Sequence, residues 1–343
     1  MTFEFVFKSD AGLSLVIDFS RPPNDRERGA LTRRLARLKA AAESITEASA
    51  QMQRLASSGP LDDVRIRHGF IRLEVPTGPD TSSRNAPKPE HRPPSTRLMS
   101  PNGIALRFYL IALLEAQSRT KPGARPLNPT PLRGSSTVTG WTNYIATAAK
   151  PSGAGRHRMG VIDKKLRQLQ TTLNRLASTQ EQLVDLPHSA KKQGQHEGFL
   201  LMREDARTGI TNDLYTVPDE GFFTVPVSLF TNGWIYVLED SELALLLLIA
   251  RMRYQHGEAS QRLAAGTRQN LYGLGRDAFE AHHMLHNLGI AHVTPDEARS
   301  LTGKVKDYET RGALPHELLF LPKGLEKPAL PEVVEQIEYQ LDR

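Results

Sequence analysis

At 343 residues with 39% apolar content, the chain is long enough for two or three domains with sizeable cores. It holds no cysteine and no run of about 18 apolar residues, and it starts MTFEFVFKSD. This excludes disulfides, thiolate zinc sites, a cysteine nucleophile and a membrane-spanning helix, gives no secretory signal, and makes a reducing cytoplasm the expected location. The net charge of +6 hides an asymmetry, because sixteen Lys/Arg stand against only Glu90, Glu115 and Asp163 between Arg84 and Arg175, a local excess of thirteen positive charges that leaves the remainder net negative by seven.

Taken in chain order, Phe3, Phe5 and Phe7, then Leu13, Leu15, Ile17 and Phe19, alternate as strands do around a turn at Asp10-Ala11-Gly12. A helix is predicted from about Asn24, which forms a capping-box pair with Glu27, to Gly59-Pro60. Leu31, Leu35, Leu38, Ala42, Ile45 and Met52 run along it at heptad-like spacing, for packing onto the sheet or, alternatively, as a dimerising seam. Strands at 64–67 and 70–75 flank His68-Gly69, so residues 1–76 read as a small α+β domain with one long helix. Residues 77–100, rich in Pro, Ser and charge, read as a mobile linker.

Residues 101–205 and 206–322 repeat one architecture without repeating residues. In the first, Ile104, Leu106, Phe108, Ile111 and Leu114 stripe a helix to about Arg119, a short helix surrounds Trp141, Tyr144 and Ile145, and a basic turn at 151–160 leads into a helix over 161–178. The apolar positions of that long helix are Ile162, Leu166, Leu169, Leu173 and Leu176, and strands at 183–187 and 198–202 then bracket a basic loop. In the second, strands at 222–230 and 234–238 precede an apolar helix over 241–254, a short helix within 260–272, and a helix over 275–288 stopped by Gly289. Strands at 290–293 and 317–321 enclose a long charged wing, and residues 323–343 form a tail whose helix, carrying Val334, Ile337 and Leu341, packs back. The fold class expected is α+β, mainly helical.

The stretch from NGWIYVLEDSELALLLLIARM to LYGLGRDAFEAHHMLHNLGIAHV resembles the winged-helix domains of bacterial transcriptional regulators and plasmid replication initiators, with Leu285-His-Asn-Leu288-Gly289-Ile290 as the phrase that ends a recognition helix and opens a wing. By element order the resemblance extends over roughly 100–205 and 222–322. It implies two winged-helix domains behind the N-terminal α+β domain, and sequence-specific binding of double-stranded DNA as a plasmid-type replication initiator or transcriptional regulator. In such domains the third helix lies in the major groove and the wing touches phosphate or minor groove. The alternative is a non-enzymatic interaction or scaffold protein that uses winged helices to bind another protein.

Helical periodicity turns Lys164, Lys165, Arg167, Gln168, Thr171 and Arg175 away from the expected core of the first module, where Lys and Arg suit guanine acceptors and Gln suits adenine. Arg156 and Arg158 before the helix, and Lys191 and Lys192 in the wing loop, suit phosphates. In the second module Ala278, His282, Leu285 and Leu288 read as core, and Arg276, Glu280, His283 and Asn287 as the outer face. Arg268, Arg276 and His283 are its candidate DNA contacts. This face is less basic, and a protein-binding or dimerising copy is the alternative. His282 and His286 stand at metal-ligand spacing but without an HExxH glutamate, and Gly273-Leu-Gly275-Arg-Asp-Ala278 lacks the βαβ unit of a dinucleotide site. No catalytic residue, metal or cofactor is therefore expected, and the chain reads as a non-enzyme. The partners expected are duplex DNA and a second copy of the chain, joined through the N-terminal helix or a winged-helix domain, with no membrane involved.

Overall fold

The computed structural model describes residues 22–343, apart from 60, 77–85, 101–102, 136, 154–158, 192, 207–211, 295, 297, 299–305, 307 and 312–313. The strands expected within residues 1–19 lie outside the described residues. The first helix, α1 (Asp25–Ser57), begins where its cap predicts. Asn24 Oδ1 accepts the Glu27 N–H at 3.0 Å and the Glu27 carboxylate accepts the Asn24 N–H at 2.9 Å, satisfying two end donors reciprocally. Its inward face carries Arg34, Leu38, Ala41, Ile45, Ala48 and Met52, a stripe at spacings of three and four.

Strand β1 (Asp63–Arg67) pairs antiparallel with β4 (Phe222–Pro226), from Asp63 opposite Pro226 to Arg67 opposite Phe222. The strand expected at 70–75 is instead a 3-10 turn (His68–Phe70) and irregular chain. The His68 N–H goes to the Gly221 carbonyl at 3.1 Å and the Leu73 N–H to that of Leu271 at 2.8 Å, so the backbone here follows the second half of the molecule. Residues 25–76 are thus built into the rest of the chain, and the pairing of β1 with β4 crosses the boundaries expected at 76 and 206.

The expected linker is also folded over 86–100. A 3-10 turn (Pro89–His91) leads to α2 (Pro94–Arg97), all four residues of which are buried. Arg97 is held by Glu181, Nε to carboxylate at 3.0 Å. Helix α3 (Ala105–Arg119) is buried on nearly every side. Its Gln117 accepts the Arg65 N–H at 2.9 Å and donates to the Arg65 carbonyl at 2.7 Å, fixing the helix to the free edge of β1. A 3-10 turn (Trp141–Tyr144), α4 (Val161–Leu176), β2 (Val184–Asp185) and β3 (Leu200–Leu201) follow, the two short strands pairing antiparallel.

After β4 come α5 (Ser228–Thr231) and α6 (Trp234–Val237). The sequence predicts strand at 222–230 and 234–238, but strand ends at Pro226 and the second stretch is helical. Gly233, with φ of +84°, redirects the chain, and Trp234 Nε1 is pinned to the Leu325 and Lys327 carbonyls, both at 3.0 Å. Helix α7 (Asp240–His256) is the centre of the core, its run Leu243–Ala250 wholly buried. Each fully buried leucine in it contributes about 1.5–3 kcal/mol relative to exposure.

Next come β5 (Gln261–Arg262), where helix is expected, α8 (Ala265–Asn270), α9 (Arg276–Phe279), α10 (Ala281–Asn287) and β6 (Ala291–Thr294). The single helix expected over 275–288 is therefore two, meeting at Glu280. Gly289, at φ +69°, ends α10 and releases the chain into β6. Short α11 (Tyr308–Arg311) precedes β7 (Glu317–Phe320), which lies between β5 and β6, antiparallel to both. A 3-10 segment (Pro322–Glu326) leads to α12 (Ala329–Leu341), which packs back onto α1 and buries Val333 and Ile337. The protein is α+β and mainly helical, and its core runs continuously from α1 to α12. No described helix is long and apolar enough to cross a membrane.

Candidate nucleic-acid interface

Helix α4 buries Leu169, Thr172, Leu173 and Leu176, and at its N-terminal end Lys165. Ile162, expected in the core, is 47% exposed, and Lys165, expected outside, is 7% exposed. The 3-10 turn at Trp141–Tyr144 packs on both α1 and α4, and the Lys165 ammonium feels the charge of Glu47 on α1. Burial pushes the Lys165 pKa down, and Glu47 partly offsets that. Lys165 is thus removed from the candidate DNA-reading set.

Arg167 and Thr171 are exposed, and Lys164 and Gln168 half-exposed, on the opposite side. Among the described residues, Arg167 forms no ion pair with a carboxylate. Thr171 Oγ1 returns to the Arg167 carbonyl at 3.0 Å, and Lys164 Nζ donates to the Lys150 carbonyl at 2.6 Å, which places that ammonium beside the basic turn. The acid of the first turn, Asp163, accepts the Gly160 N–H at 3.0 Å and pairs with Arg133 at 3.0 Å. From Lys164 to Leu176 the helix carries no acid.

Arg175 is only partly available. Its guanidinium donates to the Arg97 carbonyl at 2.8 Å and lies 3.9 Å from Glu181. Others of the sixteen cations are also committed inside the molecule: Arg97 to Glu181, Arg107 to Asp240 at 3.4 Å, and Arg119 to Glu115. The cationic block is partly internal scaffolding, and its outward charge is smaller than its sequence total.

The loop between β2 and β3 presents Lys191, which is exposed. Lys192, Arg156 and Arg158 lie outside the described residues. Two anchors that periodicity does not signal hold this loop to the helices. Buried His196 meets Asn174 of α4 at 2.8 Å, and Glu197 accepts the Leu132 N–H at 3.0 Å. Arg133, whose side chain is 56% exposed beside the start of α4, is a surface cation the sequence reading missed.

In the second half, Arg268 is buried with its guanidinium 4.7 Å from the Phe279 ring centroid. It is a packing residue and not a phosphate contact as expected. Arg276 and His283 reach the surface, but both face Glu280, at 3.9 and 3.1 Å. That surface is electrically mixed. His282 and Leu285 are in the core as expected, and Ala278 is half-buried.

The histidine pair singled out in the sequence meets different rings, His282 those of His283 and His316 and His286 that of His292. Among the described residues, Glu280, His282 and His283 are the group whose ligand atoms all lie within 4.8 Å of one another. The His282 pKa falls to about 4, chiefly through burial, with repulsion from His283 adding to it. His286 falls to about 4 through burial and the neighbouring His292. No protein-family model, curated protein or solved structure matches the chain.

Proposed function

We propose that this protein binds double-stranded DNA sequence-specifically through two winged-helix modules, as a plasmid-type replication initiator or transcriptional regulator. The observation that carries the reading is the outer side of α4: Lys164, Arg167, Gln168 and Thr171 free of acids, next to an antiparallel two-strand hairpin whose loop exposes Lys191. An ordinary solvated helix mixes both signs. At 16 residues α4 is about 24 Å long, enough to lie along a major groove about 12 Å wide. The element order α3, 3-10 turn, α4, β2, β3 supports the first module, and α7, β5, α8, α9, α10, β6, β7 with strand order β5-β7-β6 supports the second.

In this mechanism Arg133, Lys164 and Lys191 hold phosphates and set the register, and Arg167 and Gln168 read base edges. Arg276 and His283 are weaker candidates because Glu280 neutralises that face. This favours protein contact for the second module, to a second copy or another partner. Selection of bound duplexes from a random pool, with the winners titrated against salt, tests the proposal. A recovered motif and steep salt dependence are expected, and Lys164→Ala should lower the slope of log K against log salt by about 0.9. Weak binding without an enriched motif would overturn the reading in favour of a protein scaffold.

A further inference from the structure

Five of the chain's eleven histidines, His282, His283, His286, His292 and His316, gather around α10, β6 and the entry to β7. Their hydrogen bonds sort them by chemistry. His282 Nδ1 lies 2.5 Å from the Phe279 carbonyl, an oxygen that can only accept, so Nδ1 carries the proton and the neutral ring has its lone pair on Nε2. This is how a protein orients a metal-binding imidazole: the second nitrogen is fixed by a backbone carbonyl. His286 is the reverse case. Its Nδ1 accepts the Val293 N–H at 3.2 Å, so the proton of the neutral ring sits on Nε2. Spacing alone pairs the two, but their tautomers separate them.

The groups around His282 complete a donor set. The His282 and His283 ring centroids are 4.2 Å apart, and His316 stands 5.5 Å from His282. His283 Nε2 donates to the Glu280 carboxylate at 3.1 Å, close to the ~3.4 Å edge of a tetrahedron with metal–ligand bonds of about 2.0–2.1 Å, so an ion entering between them takes the place of that proton, which leaves to solvent. With all three ligand atoms inside 4.8 Å, rotation of the exposed Glu280 and half-exposed His283 closes the remaining distances, while buried His282 stays fixed.

We propose that Glu280, His282 and His283 form a three-ligand site for a divalent ion, zinc, with the remaining position left to water. Two imidazoles with one carboxylate suit a borderline first-row ion and not magnesium or calcium, which take oxygen donors. The ligands come from the α9–α10 junction and from α10. Zinc would therefore tie the two helices together at their junction, independently of whether this face meets DNA.

The test uses the full chain with any affinity tag removed, stripped by chelator and titrated with zinc by calorimetry, and with cobalt by visible absorption. One zinc per chain, an intense tetrahedral cobalt spectrum and a higher melting temperature with zinc are expected. The Glu280→Gln/His283→Ala double variant changes surface groups, so its circular dichroism should be unchanged while zinc affinity falls on the order of 100-fold or more. A His286→Ala/His292→Ala variant should retain the site. Absence of saturable binding, unchanged affinity in the first variant, or loss only in the second would overturn the assignment.

Discussion

Helix α1 should behave as part of the core and not as a separable domain, and the ion pair that joins it to α7 measures this. Arg34 donates to both carboxylate oxygens of Glu242, at 2.6 and 2.7 Å, and to the Val237 carbonyl at 3.0 Å, with both side chains 5% exposed. Replacing Glu242 by Gln leaves a guanidinium that cannot lose its proton in a site closed to water. Removing one member of such a pair costs about 3–5 kcal/mol. The exposed neighbour Arg37–Glu239, at 3.1 Å and about half-exposed on both sides, provides the internal control, and Glu239→Gln should cost under ~1 kcal/mol. Arg34→Met added to Glu242→Gln removes the stranded charge and should recover most of the loss. Urea unfolding followed by circular dichroism and tryptophan fluorescence reads all three. At a slope of roughly 3 kcal/mol per molar, the single variant moves the midpoint by ~1 M or more. A Glu242→Gln protein within 1 kcal/mol of the parent, or a separate early transition for the long helix, would refute the reasoning.

Lys165→Met should leave the salt slope of DNA binding unchanged, because Lys165 is buried, whereas Arg167→Ala should weaken binding and relax preference at one base pair, by about 1–3 kcal/mol of discrimination; the two variants are compared on the selected duplex. Asn24→Ala removes one half of the α1 capping box and should cost about 1 kcal/mol in a urea titration. Ile337→Ala empties a fully buried position between α12 and α1 and should cost about 2–5 kcal/mol, read in the same way. His286, depressed to about 4, binds its proton more weakly folded than unfolded, so its contribution is complete above pH 6.5 and is lost as pH falls toward 4. Between pH 7 and 5.5 that loss should be about 1 kcal/mol with chelator present, and a His286→Gln variant whose decline is equally steep would contradict it.

Local signals in the sequence carry the elements and lose their partners. The α1 cap, the apolar run of α7 and the glycine ending α10 are each written within a few residues, and each stands where its signal predicts. The pairing of β1 with β4 joins segments about 160 residues apart, and nothing in either strand's own alternation identifies the other. The error at Lys165 follows from the same gap. Periodicity gives α4 one apolar stripe, from Ile162 to Leu176, and reads every lysine beyond it as solvated. In the folded chain Lys165 is 7% exposed and feels the charge of Glu47 on α1, while Ile162 is 47% exposed. Arg268 is the same case in the second half, a cation whose partner is the face of Phe279 and not a phosphate. For the histidines, spacing selects the pair His282 and His286, while the ligand-competent nitrogen is set by backbone groups of Phe279 and Val293, which only the folded chain brings to them. Residue type and period therefore constrain what a side chain can do, but its protonation, burial and counter-charge come from contacts that the fold makes. Among the described residues of the block of sixteen cations, burial and internal ion pairs take up Arg97, Arg107 and Lys165, while Lys121, Arg125, Arg133, Lys150 and Arg167 stay exposed.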